Sequence, residues 1–499
     1  MKFKNNIFTL VILLSLSFMF SCAELEVEYL NKPDTELSLG DPLTVYNISR
    51  STVYNWYMIN TSSISPRLAM WVASDQGTSS WANRGMYDFS KEPREVFNNL
   101  PSYTRAGDFA AYWEDMYANL SQTNDVLNVI NDGMQIGEIK DEIGEDTEMV
   151  KAVSYFIQGL SLGYLGLVYD KAYIMLDGMT TEEAELVETS PYAEVVQAAL
   201  VSLDKAIAVC EANEFTIPVD WFNGSEYTNE ELAQLAHTFA ARFIIQKSRT
   251  AAENESTNWA DVLFHAEKGI QRNLEFYMDN NRWINWFYNY AVQPTWASID
   301  LRIINLMDNS YPSRYPDDGI APDPKAVSDD LRLESDLEYI EKVTFKPERG
   351  FYHFSNYEYS RYDYMRVDGV REGTLIDVHV TENELMKAEA LMHLGRKADA
   401  VEIINNSTRT TRGGLQNVSS MFSDEMLLDA IFYERDIELI MSGFAISFFD
   451  MRRRDMLQIG TPLHLPIPGS QLMVMSQDIY TFGGVENADG INTSNGGWF

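Results

Sequence analysis

The sequence contains little cysteine and few basic residues. Its 499 residues include only Cys22 and Cys210, and 38 Lys and Arg stand against 74 Asp and Glu, which gives a formal net charge of −36 at pH 7. Two cysteines cannot form a disulfide framework, so stability must come from a large core, which 45% hydrophobic residues can build. The strong negative charge repels nucleic acid and excludes it as a partner.

The sequence also lacks the local motifs of catalysis and metal binding. Its six histidines show no metal-ligand pair at helical spacing and no HExxH. No GxSxG elbow, phosphate loop or paired CxxC is present, and Asp317-Asp318-Gly319 lacks the alternating acids of a calcium loop. We therefore predict no enzyme, no cofactor and no metal site. A glycoside hydrolase pair of carboxylates brought together by the fold stays open, as does a purely structural repeat scaffold.

The N-terminus has the features of a secretory signal. Lys2 and Lys4 precede an apolar run at 7–20 that is too short to span a bilayer comfortably, and Ser21-Cys22 follows it. A small residue before a cysteine at this point is typical of lipoproteins. We interpret 1–21 as a signal peptide, Cys22 as the lipidated residue and 22–45 as an acidic tether, with an ordinary signal peptide as the alternative.

Helical periodicity dominates two parts of the body, about 108–270 and 381–455. One series of apolar residues at helical spacing ends at Asp132-Gly133, a pair typical of the end of a helix. Ser190 is expected to cap a later helix that has Pro191 as its first residue. Gly159, Gly163 and Gly166 lie along one side of a helical segment that follows no strand. This arrangement favours close helix packing over a phosphate loop.

The remaining stretches, about 60–100 and 271–380, are rich in Trp, Tyr, Pro, Asn and Asp and have few helical stripes. Residues 351–369 alternate aromatic and polar side chains and predict a strand or hairpin. We expect its tyrosines, at 352, 357, 359, 362 and 364, to pack across strands. Because no Gly/Ser linker interrupts 46–499, we predict one body in which helices support an irregular lobe.

Five segments together resemble the SusD/RagB family of nutrient-binding lipoproteins. They are SPYAEVVQAALVSLDKAI at 190–207, NWADVLFHAEKGI at 258–270, the helix pair and TRTTRGG at 382–414, FYERDIELIMSGFAISFFDMRRRD at 432–455, and HLPIPGSQL at 464–472. The resemblance implies a mostly α fold, in which a tetratricopeptide-like helical array supports a loop-rich lobe with a few short strands.

The resemblance also implies a function and a location. Such a protein is lipid-anchored in the outer membrane, facing the cell exterior, and binds oligosaccharide or, in one branch of the family, peptide. It forms a stable complex with a SusC-like TonB-dependent barrel and closes over the barrel as a lid.

A neutral glycan offers apolar C–H faces and hydroxyl rims, which aromatic and polar side chains bind. The expected ligand-binding residues are Asp75, Trp81, Asn83 and Arg84 on one wall and Trp283, Trp286, Tyr288 and Trp296 on the facing wall. Aromatic residues on helical stripes are expected to be buried instead, namely Trp113, Trp259, Phe432 and Phe448. The run Arg452-Arg453-Arg454 with Asp450 and Asp455 predicts a structural salt-bridge cluster.

Overall fold

A computed structural model describes residues 39–137, 145–293, 296–314, 325–341, 354–367, 370–487 and 492–498. The chain divides into two units, Met1–Asp41 and Pro42–Phe499, and the second unit contains the folded body and the candidate site. The predicted signal peptide, Cys22 and most of the tether lie outside the described residues, as do Tyr352 and Asp317-Asp318-Gly319.

Helices account for most of the regular structure. The longer ones are α1 (Pro42–Thr61), α4 (Ala106–Asn131), α5 (Thr147–Val168), α7 (Tyr192–Ala212), α9 (Asn229–Gln246), α11 (Trp259–Glu267), α15 (Val380–His393), α16 (Lys397–Asn406), α18 (Asp424–Glu438) and α19 (Ile446–Arg453). The shorter ones are α2 (Arg67–Ala73), α3 (Met86–Ser90), α6 (Thr181–Glu185), α8 (Val219–Phe222), α10 (Ala251–Glu255), α12 (Trp286–Ala291), α13 (Leu301–Met307), α14 (Arg332–Ser335), α17 (Thr408–Thr411) and α20 (Gly469–Val474).

The described strands are short and pair antiparallel, two by two. The pairs are β1 (Gly77–Thr78) with β7 (Ser298–Ile299), β2 (Lys171–Tyr173) with β3 (Thr189–Pro191), β4 (Thr216–Ile217) with β5 (Tyr227–Thr228), β6 (Leu274–Met278) with β12 (Gly373–Val378), β8 (Leu337–Tyr339) with β9 (Tyr357–Tyr359), and β10 (Arg366–Val367) with β11 (Val370–Arg371). The predicted mostly α fold with a few short strands is confirmed.

Helix α5 is buried on nearly every side, and its three glycines allow the close packing that the sequence predicts. A Cβ on Gly166 would lie 2.8 Å from Val196 and 3.1 Å from the backbone oxygen of Tyr192, both on α7. A Cβ on Gly163 would lie 2.1 Å from the ring of Phe243 on α9. Helix packing is therefore the role of these glycines, and no phosphate loop is formed.

The helix starts are only partly as predicted. Ser423 caps α18, because its side chain accepts a hydrogen bond from the amide of Met426. The prediction for Ser190 is wrong, since this residue pairs with Ala172 between β2 and β3 and α7 begins at Tyr192. The strand pairing uses the residues that would otherwise have formed the first turn. Helix α1 begins at Pro42, within the 22–45 stretch predicted as tether.

Buried arginine–carboxylate pairs join helices that are distant in sequence. Arg242 on α9 donates from Nε and Nη2 to the two carboxylate oxygens of Glu382 on α15, at 2.8 and 2.7 Å, and both side chains are fully buried. Arg453 on α19 binds Glu389, also on α15, and Asp450. Of the predicted salt-bridge cluster, Arg453 pairs with Asp450 as expected, whereas Arg452 and Arg454 donate to backbone oxygens instead. Helix α15 therefore receives one buried arginine from α9 and one from α19.

Burial follows the helical stripes for most of the large aromatic residues. Trp113, Trp259 and Phe448 are buried as predicted, whereas Phe432 is only half-buried. Of the tyrosines in 351–369, those at 357, 359 and 362 are buried and Tyr364 is exposed. Within the described ranges, no helix has both the length and the apolar character needed to cross a bilayer.

Candidate ligand-binding site

Strands β1 and β7 bring together the two segments that were predicted to form facing walls. Gly77 pairs with Ile299 and Thr78 with Ser298. The hydroxyl of Ser79 then donates to the backbone oxygen of Trp296 at 2.5 Å. Gly77 is required for the packing of β1 against α2, because a Cβ there would lie 1.9 Å from the ring of Trp71.

The loop after β1 holds Arg84 against the opposite segment. Arg84 has a φ of +51° and the following Gly85 a φ of +78°, so the chain turns sharply here. The guanidinium of Arg84 forms an ion pair with Asp108 at 3.1 Å and lies 5.9 Å from the ring centre of Tyr290. This turn directs a half-buried cation toward an aromatic ring of the other wall.

Two half-buried aromatic rings lie next to that guanidinium. The rings of Tyr290 and Trp296 are 4.8 Å apart between centres, with an interplanar angle of 42°. Ser79 links their wall to the half-buried Trp81, since its hydroxyl lies 3.4 Å from the backbone oxygen of Trp81. We name Trp81, Arg84, Tyr290 and Trp296 the β1–β7 site. Its rings and its guanidinium can stack on apolar faces and donate hydrogen bonds.

Tyr290 was not among the predicted residues, and helix α12 explains why it belongs here. In a helix, residues four apart share a face, so Tyr290 lies on the same side as Trp286, which is 42% exposed. Tyr288 points away and is 2% exposed, with its ring against Tyr362. If the sequence had been interpreted as a helix over 286–291, the residue expected on the same face as Trp286 would have been Tyr290 and not Tyr288.

Asp75 and Trp283 also lie in the packed interior. The carboxylate of Asp75 is 1% exposed and binds Arg94, the amide of Gln458 and the indole nitrogen of Trp498, each at 2.7 Å. It therefore anchors the C-terminal segment. Trp283 is 5% exposed and stacks on Phe276.

The burial of Trp283 has a local cause. The side chain of Asp279 accepts hydrogen bonds from the amides of residues 281, 282 and 283, which forms a tight turn in front of Trp283. For this reason Asp75, Trp283 and Tyr288 are not part of the β1–β7 site. Asn83 is half-buried and directly precedes Arg84 in the chain, and Trp286 shares a face of α12 with Tyr290.

The comparisons with known proteins agree with this fold. Residues 343–488 match the SusD family. The chain is 14% identical to a SusD superfamily protein from Parabacteroides distasonis, with a TM-score of 0.61 over 86% of this chain and 97% of that one. A SusD-like carbohydrate binding protein from Bacteroides fragilis is 13% identical, with a TM-score of 0.58 over 89% and 94% of the two chains.

A third structure is a laminarin binding SusD-like protein, which is 16% identical with a TM-score of 0.53 over 89% of this chain and 99% of that one. No functionally curated protein matches the chain. The C-terminal part of the chain therefore matches the SusD family model, and most of the chain has the fold of SusD-like proteins, in agreement with the resemblance of the sequence motifs.

Proposed function

We propose that this protein captures oligosaccharide at the β1–β7 site and delivers it to a SusC-like TonB-dependent outer-membrane transporter, over which it closes as a lid. In this proposal it is a binding protein and not an enzyme. The lipid on Cys22 anchors it in the outer membrane, facing the exterior.

The observation that carries the proposal is the juxtaposition of Tyr290 and Trp296 with Arg84. Two rings 4.8 Å apart and inclined at 42° present a bent apolar surface, which suits the curved face of a glycan chain better than a flat stack would. The guanidinium and the amide of Asn83 supply donors for hydroxyl rims. Trp286, 42% exposed, extends the aromatic surface at its margin.

Charge narrows the ligand class to neutral glycans. The whole chain carries a formal charge of −36, which repels anionic polymers. Asp108 pairs with Arg84 at 3.1 Å, so the cation of the site is already neutralised. A glycan with carboxylate or sulfate groups therefore finds no unpaired positive charge at the β1–β7 site.

The related structures support the same ligand class, since they include a SusD-like carbohydrate binding protein and a laminarin binding SusD-like protein. The transporter partner follows from the family resemblance. The anchor follows from Lys2, Lys4 and the apolar run that ends before Cys22. Two acyl chains at this residue would hold the protein stably at a membrane.

Calorimetry on the chain lacking residues 1–22, with a panel of neutral glucans, acidic glycans and short peptides, tests the ligand class. Trp81→Ala and Trp296→Ala should each weaken glucan binding at least about 30-fold, the loss expected when an aromatic residue contributes about 2 kcal/mol. Their melting temperatures should stay close to that of the wild type. Phe264→Ala is the matched control, because this ring is 49% exposed on α11, away from β1 and β7.

Three results would contradict this proposal. Binding of peptides alone would indicate the peptide branch of the family. Release of reducing ends from a polysaccharide would indicate a glycoside hydrolase. A large fall in melting temperature for Trp296→Ala would show that the ring is a core residue.

The proposed lipid anchor and the proposed transporter partner are tested in a separate experiment in cells. Cys22→Ala should move the protein from the outer-membrane fraction to the soluble fraction and abolish its labelling by radioactive palmitate. The wild-type protein should be digested by protease added to intact cells and should copurify with a TonB-dependent barrel. Retention of palmitate label in the variant would refute lipidation at Cys22.

A further inference from the structure

Strands β8 and β9 place two glutamates directly opposite each other. Their register pairs Glu338 with Glu358, flanked by Leu337 with Tyr359 and Tyr339 with Tyr357. Side chains opposite each other in an antiparallel pair are about 5 Å apart at Cβ, and two like charges at this distance destabilise the pair. The strand pair therefore carries an electrostatic cost that needs compensation.

A third carboxylate lies at the same point. Asp363 belongs to the 3₁₀ turn that follows β9, and its carboxylate oxygen lies within 4.8 Å of those of Glu338 and Glu358. The three side chains grade from exposed (Glu338) through half-buried (Asp363) to buried (Glu358). The cluster is therefore accessible to solvent through Glu338.

The nearest positive charge only partly compensates the cluster. Arg366 forms its ion pair with Asp363, at 3.0 Å. Glu358 is only 7% exposed, and its Oε2 atom is buried with no hydrogen-bond donor. A buried carboxylate oxygen without a partner is costly, because water no longer solvates it and nothing has replaced water.

We propose that Glu338, Glu358 and Asp363 bind a divalent cation of the calcium type, with Oε2 of Glu358 as its buried ligand. Oxygen-only ligands select hard cations. Around Ca²⁺, with oxygens at about 2.4 Å, two ligand atoms are at most about 4.8 Å apart, and the oxygens of these three residues lie within that distance of one another. Mg²⁺ requires a near-ideal octahedron and retains several waters, so a set of three carboxylates suits Ca²⁺ better.

Burial raises the pKa of Glu358 to about 7, with Asp363 and Glu338 acting in the same direction and Arg366 against it. A cation would bind both strands to the turn that carries Tyr362, whose ring packs against Tyr288 on α12. The cation would in this way fix the turn that supports the helix bearing Tyr290.

Terbium luminescence tests the site directly, because Tb³⁺ takes calcium ligand sets and nearby tyrosines such as Tyr339 and Tyr359 sensitise its emission. Titration of the full chain in detergent with TbCl₃ should give a saturable signal that CaCl₂ displaces and MgCl₂ displaces poorly. Calcium at about a hundredfold excess over its Kd should also raise the melting temperature by about 3 °C.

Glu358→Gln and Glu338→Gln should each weaken Tb³⁺ binding at least about tenfold and abolish the calcium-dependent rise in melting temperature. Glu338 is exposed, so its variant tests the site without disturbing the core. Glu211→Gln, an exposed acid on α7, is the matched control and should bind as the wild type does. An unchanged melting temperature in calcium, or Tb³⁺ emission equal in all four proteins, would show that Glu358 is simply a protonated acid.

Discussion

Replacing Gly163 by alanine tests the helix packing around α5 most sharply. Alanine in a helix interior is favoured over glycine by about 1 kcal/mol, so on propensity alone the variant should be more stable. The structure predicts the opposite. The new Cβ would lie 2.1 Å from Cε2 of Phe243, well inside van der Waals contact.

The ring of Phe243 cannot easily move away. It is fully buried and packs edge-on against Tyr164, 5.4 Å away, and against Phe239, 6.0 Å away between ring centres. Overpacking a well-filled core costs about 1–3 kcal/mol, and an overlap with a confined ring belongs at the upper end of that range. After subtracting the propensity gain, we expect a net loss of about 2 kcal/mol.

Thermal unfolding followed by far-UV circular dichroism measures this difference. Gly163→Ala should lower the melting temperature by about 2 °C. Gly107→Ala is the matched control, since Gly107 is in α4 and a Cβ there would meet no atom within 4 Å. The control should be at least as stable as the wild type. A melting temperature of Gly163→Ala equal to that of Gly107→Ala would show that α5 and α9 do not pack as closely as described.

Three further predictions concern single interactions. Arg242→Met should cost about 3–5 kcal/mol in urea unfolding because it leaves the buried Glu382 unpaired, and adding Glu382→Leu should recover most of that loss. For Glu358, the raised pKa means that its stabilising contribution is complete below pH 4.5 and is lost as the pH rises through about 7. With chelator present, the wild type should therefore lose on the order of 2 kcal/mol more than Glu358→Gln over that pH range, and equal pH profiles would contradict the raised pKa. Thr228→Ala should cost about 1 kcal/mol, since it removes the capping box that Thr228 forms with Glu231 at the start of α9, and an unchanged unfolding midpoint would show that the box contributes nothing.

Local periodicity was sufficient to predict the long helices within 108–270 and 381–455, whereas α1 (Pro42–Thr61) lies outside both parts. The stripe that stops at Asp132 corresponds to α4, which ends at Asn131. The predicted helical part at 108–270 is not continuous, because the chain leaves α9 after Gln246 and forms the short α10 before α11. These signals are readable because a helix satisfies its own backbone and needs only one apolar face.

Contacts between residues that are distant in sequence could not be predicted from local patterns. Ser190 looks like a helix cap until β2 supplies a partner strand, and Trp283 looks like a loop residue until Asp279 turns it inward. His237 and His265 lie on different helices, yet their Nδ1 atoms are 2.8 Å apart. Burial and the neighbouring His265 lower the pKa of His237 to about 4, a consequence of packing that no local spacing encodes.

The same limit applies to the two proposed sites. The pairing of 77–78 with 298–299 spans more than two hundred residues, so composition could suggest two walls but could not select Tyr290 over Tyr288. Glu338 and Glu358 become neighbours only through the register of β8 and β9. A one-residue slip would have turned them to opposite faces.

The arginines that reach α15 have a consequence for how the polypeptide matures. Arg242 is separated from Glu382 by 140 positions and Arg453 from Glu389 by 64, so neither guanidinium finds its carboxylate until most of the chain has been synthesised. Until then the early helices would have to enclose an unmatched charge, which prevents their premature closure. A fragment ending before residue 380 should therefore remain open and protease-sensitive, and native structure should form late and cooperatively.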